Sequence, residues 1–247
     1  MLLMVLLAAS AFGANDLTEA EKRAGWVLLF DGHSLDGWTW STATQAPVPC
    51  WKVQDGLLQT APGQGQPTYL LTRDSFEDFE MAFEWKSERG GNSGVKYRFQ
   101  GYWVDKELRP APEGPGRIEP VALEYQIIDD EAHPDALTGP THSTAAVYEY
   151  WAPKKDGPAR PDVWHTSRIV ARGLHVEHWA DGKKVVDIQL DSPDVQESFA
   201  KSRRRGSSPV LAKHDRRSSP IALQFHDGAV WFRNVKIRRY TSSRSSR

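Results

Sequence analysis

Three short stretches set long hydrogen-bonding side chains two residues apart. In residues 94–99, Lys96 and Arg98 alternate with Val95, Tyr97 and Phe99. In residues 121–129, Glu124, Gln126 and Ile128 alternate with Leu123, Tyr125 and Ile127, and in residues 222–227, Gln224 and His226 alternate with Leu223 and Phe225. Side chains alternate faces along a strand, so each stretch has one apolar face suited to a core and one face of polar groups. If the strands are neighbours, an ammonium, a guanidinium, a carboxylate, two amides and an imidazole line one floor. Such a floor suits a sugar: amides and carboxylates bridge vicinal hydroxyls, and an arginine polarises a carbonyl or stabilises an oxyanion. The same pattern also describes a solvated sheet face with cross-strand ion pairs, such as Glu124 with Arg98. Spacing alone leaves both readings open.

Other groups carry weaker signals. Asp129 and Asp130 end a strand, where a carboxylate serves catalysis or caps a turn. His133, His142 and His165 sit in loops and could ligate a divalent metal, but no close His/Asp/Glu spacing builds a site. No cofactor is therefore assigned. His175 and His178 fall on a hairpin expected to be exposed. Trp151 and Trp164 flank a Pro-rich loop and could act as sugar platforms. The chain has 10 Trp, 7 Tyr and 9 Phe, some of which must build core while others could stack on pyranose rings. There is no GxSxG, P-loop, GxGxxG before a helix, CxxC, or paired-carboxylate ExDxxE strand.

The elements that must position these groups read as strands. Residues 17–25 form a helical turn stopped by Gly25. From Trp26 onward the period is two: strands are expected at 26–30, 51–54, 57–60, 79–85, 94–99, 121–128, 145–151, 168–172, 174–180, 183–190, 220–225 and 230–240. Asp55-Gly56 and Asp181-Gly182 are hairpin turns, because both positions of such a turn need positive φ. Residues 103–120 and 152–163 read as long loops. Residues 191–219 read as a polar, basic, mobile insertion, and no long segment carries a helical period. Many short strands with Gly and Pro turns imply an all-β jelly-roll sandwich.

Composition limits the function classes. The chain has 247 residues, 39% hydrophobic and 26% charged, which suits one large globular unit. A formal net charge of −1 argues against a nucleic-acid partner. The single cysteine, Cys50, excludes an internal disulfide and reads as a small buried hydrophobe. The apolar run at 2–9, followed by small residues, reads as the end of a secretory signal peptide over 1–14, too short to span a bilayer. The expected organisation is therefore leader 1–14, one domain 15–240 and a disordered tail 241–247, with export to the periplasm or outside. Oligomeric state is silent.

The pieces LLFDGHSLDGW, FEDFEMAFEWK, GNSGVKYR, LEYQIIDD, HVEHWADGKKVVD and IALQFHDGAVWFRNVKI occur in this order. Together they resemble the 3-keto-disaccharide hydrolase domain family over about 26–240. The resemblance implies a concanavalin A-like jelly roll, exported in bacteria, that acts on 3-keto sugars. A 3-keto group acidifies the C2 proton; a base removes it, the enolate expels the leaving group at C1, and water completes hydrolysis. A lyase that stops at the unsaturated product belongs to the same chemistry. On this basis Glu124 or His226 is the base or acid, and Arg98 with Lys96 stabilises the enolate. Gln126, Gln224 and Asn92 position hydroxyls, and Asp129 orients Arg98 or binds sugar. The small carbohydrate is the expected partner. A non-catalytic carbohydrate-binding module on the same fold is the alternative, since fold does not fix function.

Overall fold

In the computed structural model, the described residues are 14–40, 50–60, 68–104, 107–109, 118–202 and 208–240. The expected leader falls outside them except for its last residue, and the tail 241–247 lies wholly outside. Helix α1 (Glu19–Arg23) is fixed by a capping box between Thr18 and Glu21. An eight-stranded sheet and a six-stranded sheet follow.

The first sheet contains β1 (Val27–Leu28), β3 (Trp51–Gln54), β4 (Leu57–Thr60), β6 (Phe79–Ser87), β10 (His165–Arg172), β11 (His175–Ala180), β12 (Lys183–Gln189) and β14 (Val230–Arg239). Its order is β12-β11-β10-β6-β14-β4-β3, with β1 on β14. The second contains β2 (Trp38–Trp40), β5 (Thr68–Thr72), β7 (Asn92–Val104), β8 (Glu107–Arg109), β9 (Ile118–Ile128) and β13 (Ala222–Asp227). Its order is β2-β5-β13-β7, with β9 along the other side of β7 and β8 on the far part of β7. Among the described residues every strand pair is antiparallel, and the crossovers between sheets make a jelly roll. Asp55 and Gly56 have φ of 53° and 73°, and Asp181 and Gly182 have 46° and 79°, so both hairpins turn as the Asp-Gly pairs require.

Alternation along β6 sends Phe79, Met81, Phe83 and Trp85 into the core, facing Val95, Tyr97, Leu123, Tyr125 and Ile127 of the second sheet. Edge-to-face contacts join the layers: Phe79 meets Tyr97 at 6.1 Å and Phe83 meets Tyr125 at 5.5 Å. His178, expected on an exposed hairpin, is instead fully buried between the sheets. The even positions of β11 face inward, so the ring reaches the Tyr97 hydroxyl with Nε2 at 2.7 Å and the Ala145 carbonyl with Nδ1 at 2.9 Å.

Burial lowers the pKa of His178 from 6.5 to about 4, against the opposing hydrogen bond to Ala145. The unfolded chain therefore binds a proton that the folded chain refuses between those pH values. Stability from this group is full above pH 6.5 and is lost as pH falls to about 4, by about 3 kcal/mol. Denaturant unfolding across that window should show the loss in the wild type, and His178→Gln should flatten the difference. Parallel pH curves for the two proteins would refute it.

Several expectations are corrected. Residues 191–219 are not simply a mobile insertion: they hold α2 (Pro193–Lys201) and α3 (Ser208–Lys213), and Val195, Phe199 and Leu211 are buried in the core. Val195 and Phe199 are four apart and so share one helical face. The loop expected from 103 is partly strand, because β7 runs to Val104 and pairs with β8. Residues 26–30 yield only the two-residue β1, with Val27 54% exposed. Residues 145–151 are not a regular strand. Positive φ at Ala145 and Glu149 breaks the extended chain, leaving bridges from Val147 to Tyr125 and Trp151.

Candidate active site

The outer face of the second sheet is built in rows. One row runs Glu124, Lys96, Ala222, Leu71 across β9, β7, β13 and β5. The next runs Gln126, Gly94, Gln224, Tyr69, and the third Ile128, Asn92, Asp227. Rows of one face are two residues, about 7 Å, apart. Lys96, Glu124, Gln126, Gln224 and Asn92 thus share a floor, and all are buried. This is no solvated face.

At one end, Lys96 Nζ contacts the Glu124 carboxylate, and both side chains are at most 5% exposed. Lys96 also lies 5.7 Å from the centre of the Tyr69 ring. Beside them Tyr148, Tyr150 and Leu211 border a gap of about 10 Å³ against Lys96 and Glu124, so the helical insertion reaches the floor. Beyond this pair the floor becomes apolar: Tyr69, Leu71, Phe99, Tyr102, Ala122 and Ala222 form a separate cluster.

At the other end, the register of β13 slips between Phe225 and Asp227. The bulge gives the floor position opposite Asn92 to Asp227 and sets His226 beside it, both side chains being exposed. His226 Nδ1 lies 2.5 Å from Asp227 Oδ2, and His133 Nε2 lies 3.4 Å from the same oxygen. Burial pushes the Asp227 carboxyl up, but the hydrogen bonds and charges of His226 and His133 outweigh it and hold the pKa below its ordinary value. Asn92 lies 3.5 Å from His133 Nε2 and accepts from Gln126 Nε2 at 3.5 Å.

Gly94 separates the two ends. A Cβ there would stand 2.2 Å from Glu124 Oε1 and 3.0 Å from its Cγ and Cδ, so the missing side chain is the space in which the carboxylate lies. Gly94→Ala should displace Glu124 and lower kcat about a hundredfold, as an ångström-scale misplacement does. Steady-state kinetics beside a thermal melt would check this; unchanged kcat would mean that the carboxylate's position is not critical.

Arg98 does not join the floor. It adopts φ of 57° where the register of β7 shifts between Tyr97 and Gly101. That reversal puts Phe99 on the outer apolar cluster and turns Arg98 away, 2% exposed, with Nη2 3.5 Å from Asp78 Oδ1. Burial lowers its pKa, against Asp78. Asp129 does not orient Arg98. Its carboxylate accepts the backbone N–H groups of Gly90, Glu131 and Ala132 at 2.8, 3.0 and 3.1 Å; burial raises its pKa, but these bonds hold it below the usual range. It shapes the turn that carries His133. Trp151 packs half-buried against the main core, not on the floor. Trp164 has the Arg233 guanidinium 4.0 Å from its ring centre.

Asp227, His133 and Tyr69 complete the floor and were not placed there by the sequence pattern. Asp227 falls between the strands expected at 220–225 and 230–240, His133 read as a loop residue, and β5 carried no signal. Of the other loop histidines, His165 bonds Asp181 Oδ2 and the Arg160 carbonyl, both at 2.9 Å, and His142 lies 3.9 Å from Glu149 Oε1. Among the described residues, His175, Glu177 and Asp187 have ligand atoms within 4.8 Å of one another. They lie on the other sheet, and Lys184 pairs with both carboxylates.

Two antiparallel sheets and an acid–base floor on the outer face of one define a concanavalin A-like jelly-roll sandwich with a candidate catalytic face. The chain belongs to the 3-keto-alpha-glucoside-1,2-lyase-like domain family, whose model matches residues 25–238. It is 26% identical over 233 residues to a 3-keto-disaccharide hydrolase of Bacteroides thetaiotaomicron, covering 87% of this chain and 78% of that protein. A crystal structure of a candidate glycosyl hydrolase from Parabacteroides distasonis matches with TM-score 0.76 and 27% identity, over 93% of this chain and all of that one. A second from the same organism matches in fold, with TM-score 0.65 and 24% identity over 87% and 99% of the two chains.

Proposed function

We propose that this chain is an exported enzyme that cleaves the glycosidic bond of 3-keto-glycosides by elimination from C2. The observation that carries the reading is the buried contact between Lys96 and Glu124. An α-proton and its activating carbonyl sit on adjacent carbons, so a base and an ammonium donor in contact match the two atoms to be served. Glu124 takes the C2 proton, and the C–H electrons form the C2–C3 enolate. Lys96 donates to the enolate oxygen at C3. The enolate then collapses: the C3 carbonyl reforms, a C1–C2 double bond forms, and the C1–O bond breaks. His226 gives the leaving oxygen a proton. Water addition at C1 with protonation at C2 restores a saturated 3-keto sugar, and without it the product is the unsaturated ketone. Gln126, Gln224 and Asn92 hold hydroxyls. Family membership supports the substrate class, and the apolar run at 2–9 supports export.

The test is turnover of a 3-keto-glucoside with a chromogenic leaving group beside the parent glucoside, each with and without EDTA. Release from the keto substrate alone is expected, and the EDTA arm reads metal dependence. Sugar binding without release from either substrate would support a binding module instead.

A further inference from the structure

The floor ends in two imidazoles on one carboxylate oxygen, and their hydrogen bonds determine where each proton sits. The Asp135 N–H donates to His133 Nδ1 at 3.1 Å. Nδ1 therefore carries a lone pair, and the neutral ring is protonated at Nε2. That Nε2–H faces Asp227 Oδ2 at 3.4 Å. An ionised carboxylate only accepts, so His226 Nδ1, 2.5 Å from the same oxygen, must also carry a proton. The exchangeable lone pair of neutral His226 is then on Nε2. Burial matches this division: the His133 side chain is 11% exposed and that of His226 is 44% exposed.

The amides can accommodate this tautomer. With Asn92 Nδ2 toward His133 and Gln126 Nε2 toward Asn92 Oδ1, two donors meet at His133 and Gln126 Oε1 is buried without a partner. Amide orientation is assigned from such networks. Reversing both amides turns the donor–donor contact at His133 into a hydrogen bond. The Asn92 oxygen then faces His133 Nε2–H, the Asn92 amide nitrogen faces Gln126 Oε1, and Gln126 Nε2 is left as a donor. The tautomer that serves Asp227 thus fits one amide arrangement, in which the unpartnered group of Gln126 is its nitrogen rather than its oxygen.

We infer that His133 is a positioning residue: held as the Nε2–H tautomer, it fixes Asp227, which keeps Nδ1–H on His226 and makes His226 Nε2 the atom that exchanges a proton with substrate. The inference rests on the proposed role of His226. In both protonation states of His226, Nδ1 stays bonded to Asp227, so only Nε2 gives or takes a proton. His133 touches no reacting atom.

The test is long-range 15N–1H correlation spectroscopy on the full, histidine-labelled chain at alkaline pH, with signals assigned by His133→Gln and His226→Gln. Nε2–H on His133 and Nδ1–H on His226 are expected in the wild type. His133→Phe should let His226 redistribute between tautomers and lower kcat roughly 10- to 100-fold, the usual scale for groups that orient a functional side chain, with KM little changed. His133→Gln, which keeps a donor for Asp227, should restore both. Nε2–H on His226 in the wild type, or a His133→Phe protein with unchanged tautomer and kcat, would overturn the inference. The wild-type spectrum decides it even if His133→Phe does not fold. It also needs no turnover, so an enzyme inactive on 3-keto-glycosides would refute the reaction without touching the tautomers.

Discussion

Lys96→Met is expected to destabilise the fold by roughly 3–5 kcal/mol, the cost of stranding a buried charge. Glu124 is 4% exposed and loses the ammonium that its carboxylate contacts. Adding Glu124→Gln should recover most of this loss, because a buried ion pair replaced by neutral groups of similar size is often no less stable. Turnover should be absent in both proteins, since the elimination has lost its enolate donor in one and its base as well in the other. Urea unfolding and turnover of a 3-keto-glycoside measure the two arms. A double variant as unstable as the single one would make the pair structural. A double variant that still turns over substrate would remove Lys96 and Glu124 from the chemistry.

His226→Gln should lower kcat by about 10²–10⁴, the range of a lost general acid or base, and leave stability within about 0.5 kcal/mol, as for other surface substitutions. The side chain is 44% exposed and its bond to Asp227 lies at the rim of the floor. The loss should depend on the leaving group. A nitrophenolate leaves without protonation, so its 3-keto-glycoside should tolerate the variant better than an alkyl glycoside does. Glu124→Gln should impair both equally, because C2 deprotonation precedes departure. Equal losses for the two leaving groups in His226→Gln would deny it the acid role.

Both variants address groups that the strand pattern brings out. The alternation in residues 121–129 and 222–227 places Glu124, Gln126 and Gln224 on one face, and they do share a floor with Lys96. That was legible because a strand has an exact two-residue period and each apolar face must meet a core. Arg98 failed for the same reason inverted: one left-handed residue interrupts the alternation of β7, so Phe99 takes the outer face and Arg98 turns away before the pairing resumes at Gly101. His226 and Asp227 exchange roles through a second bulge. A bulge depends on what the neighbouring strand can accommodate, and no local residue pattern announces it.

By itself, then, the sequence determined a two-sheet sandwich, its Asp-Gly hairpins, its apolar core faces and most of one polar floor. These follow from local backbone preferences and from the burial of alternate side chains. The tertiary structure alone decided that Arg98 is withdrawn beside Asp78, that His178 is buried against Tyr97, and that helices α2 and α3 pack into the core, with Leu211 of α3 reaching the floor. It also decided that His133, far along the chain, shares a carboxylate oxygen with His226. Those outcomes rest on register shifts and long-range contacts, whose energies belong to pairs of distant residues and are written in neither partner's neighbourhood.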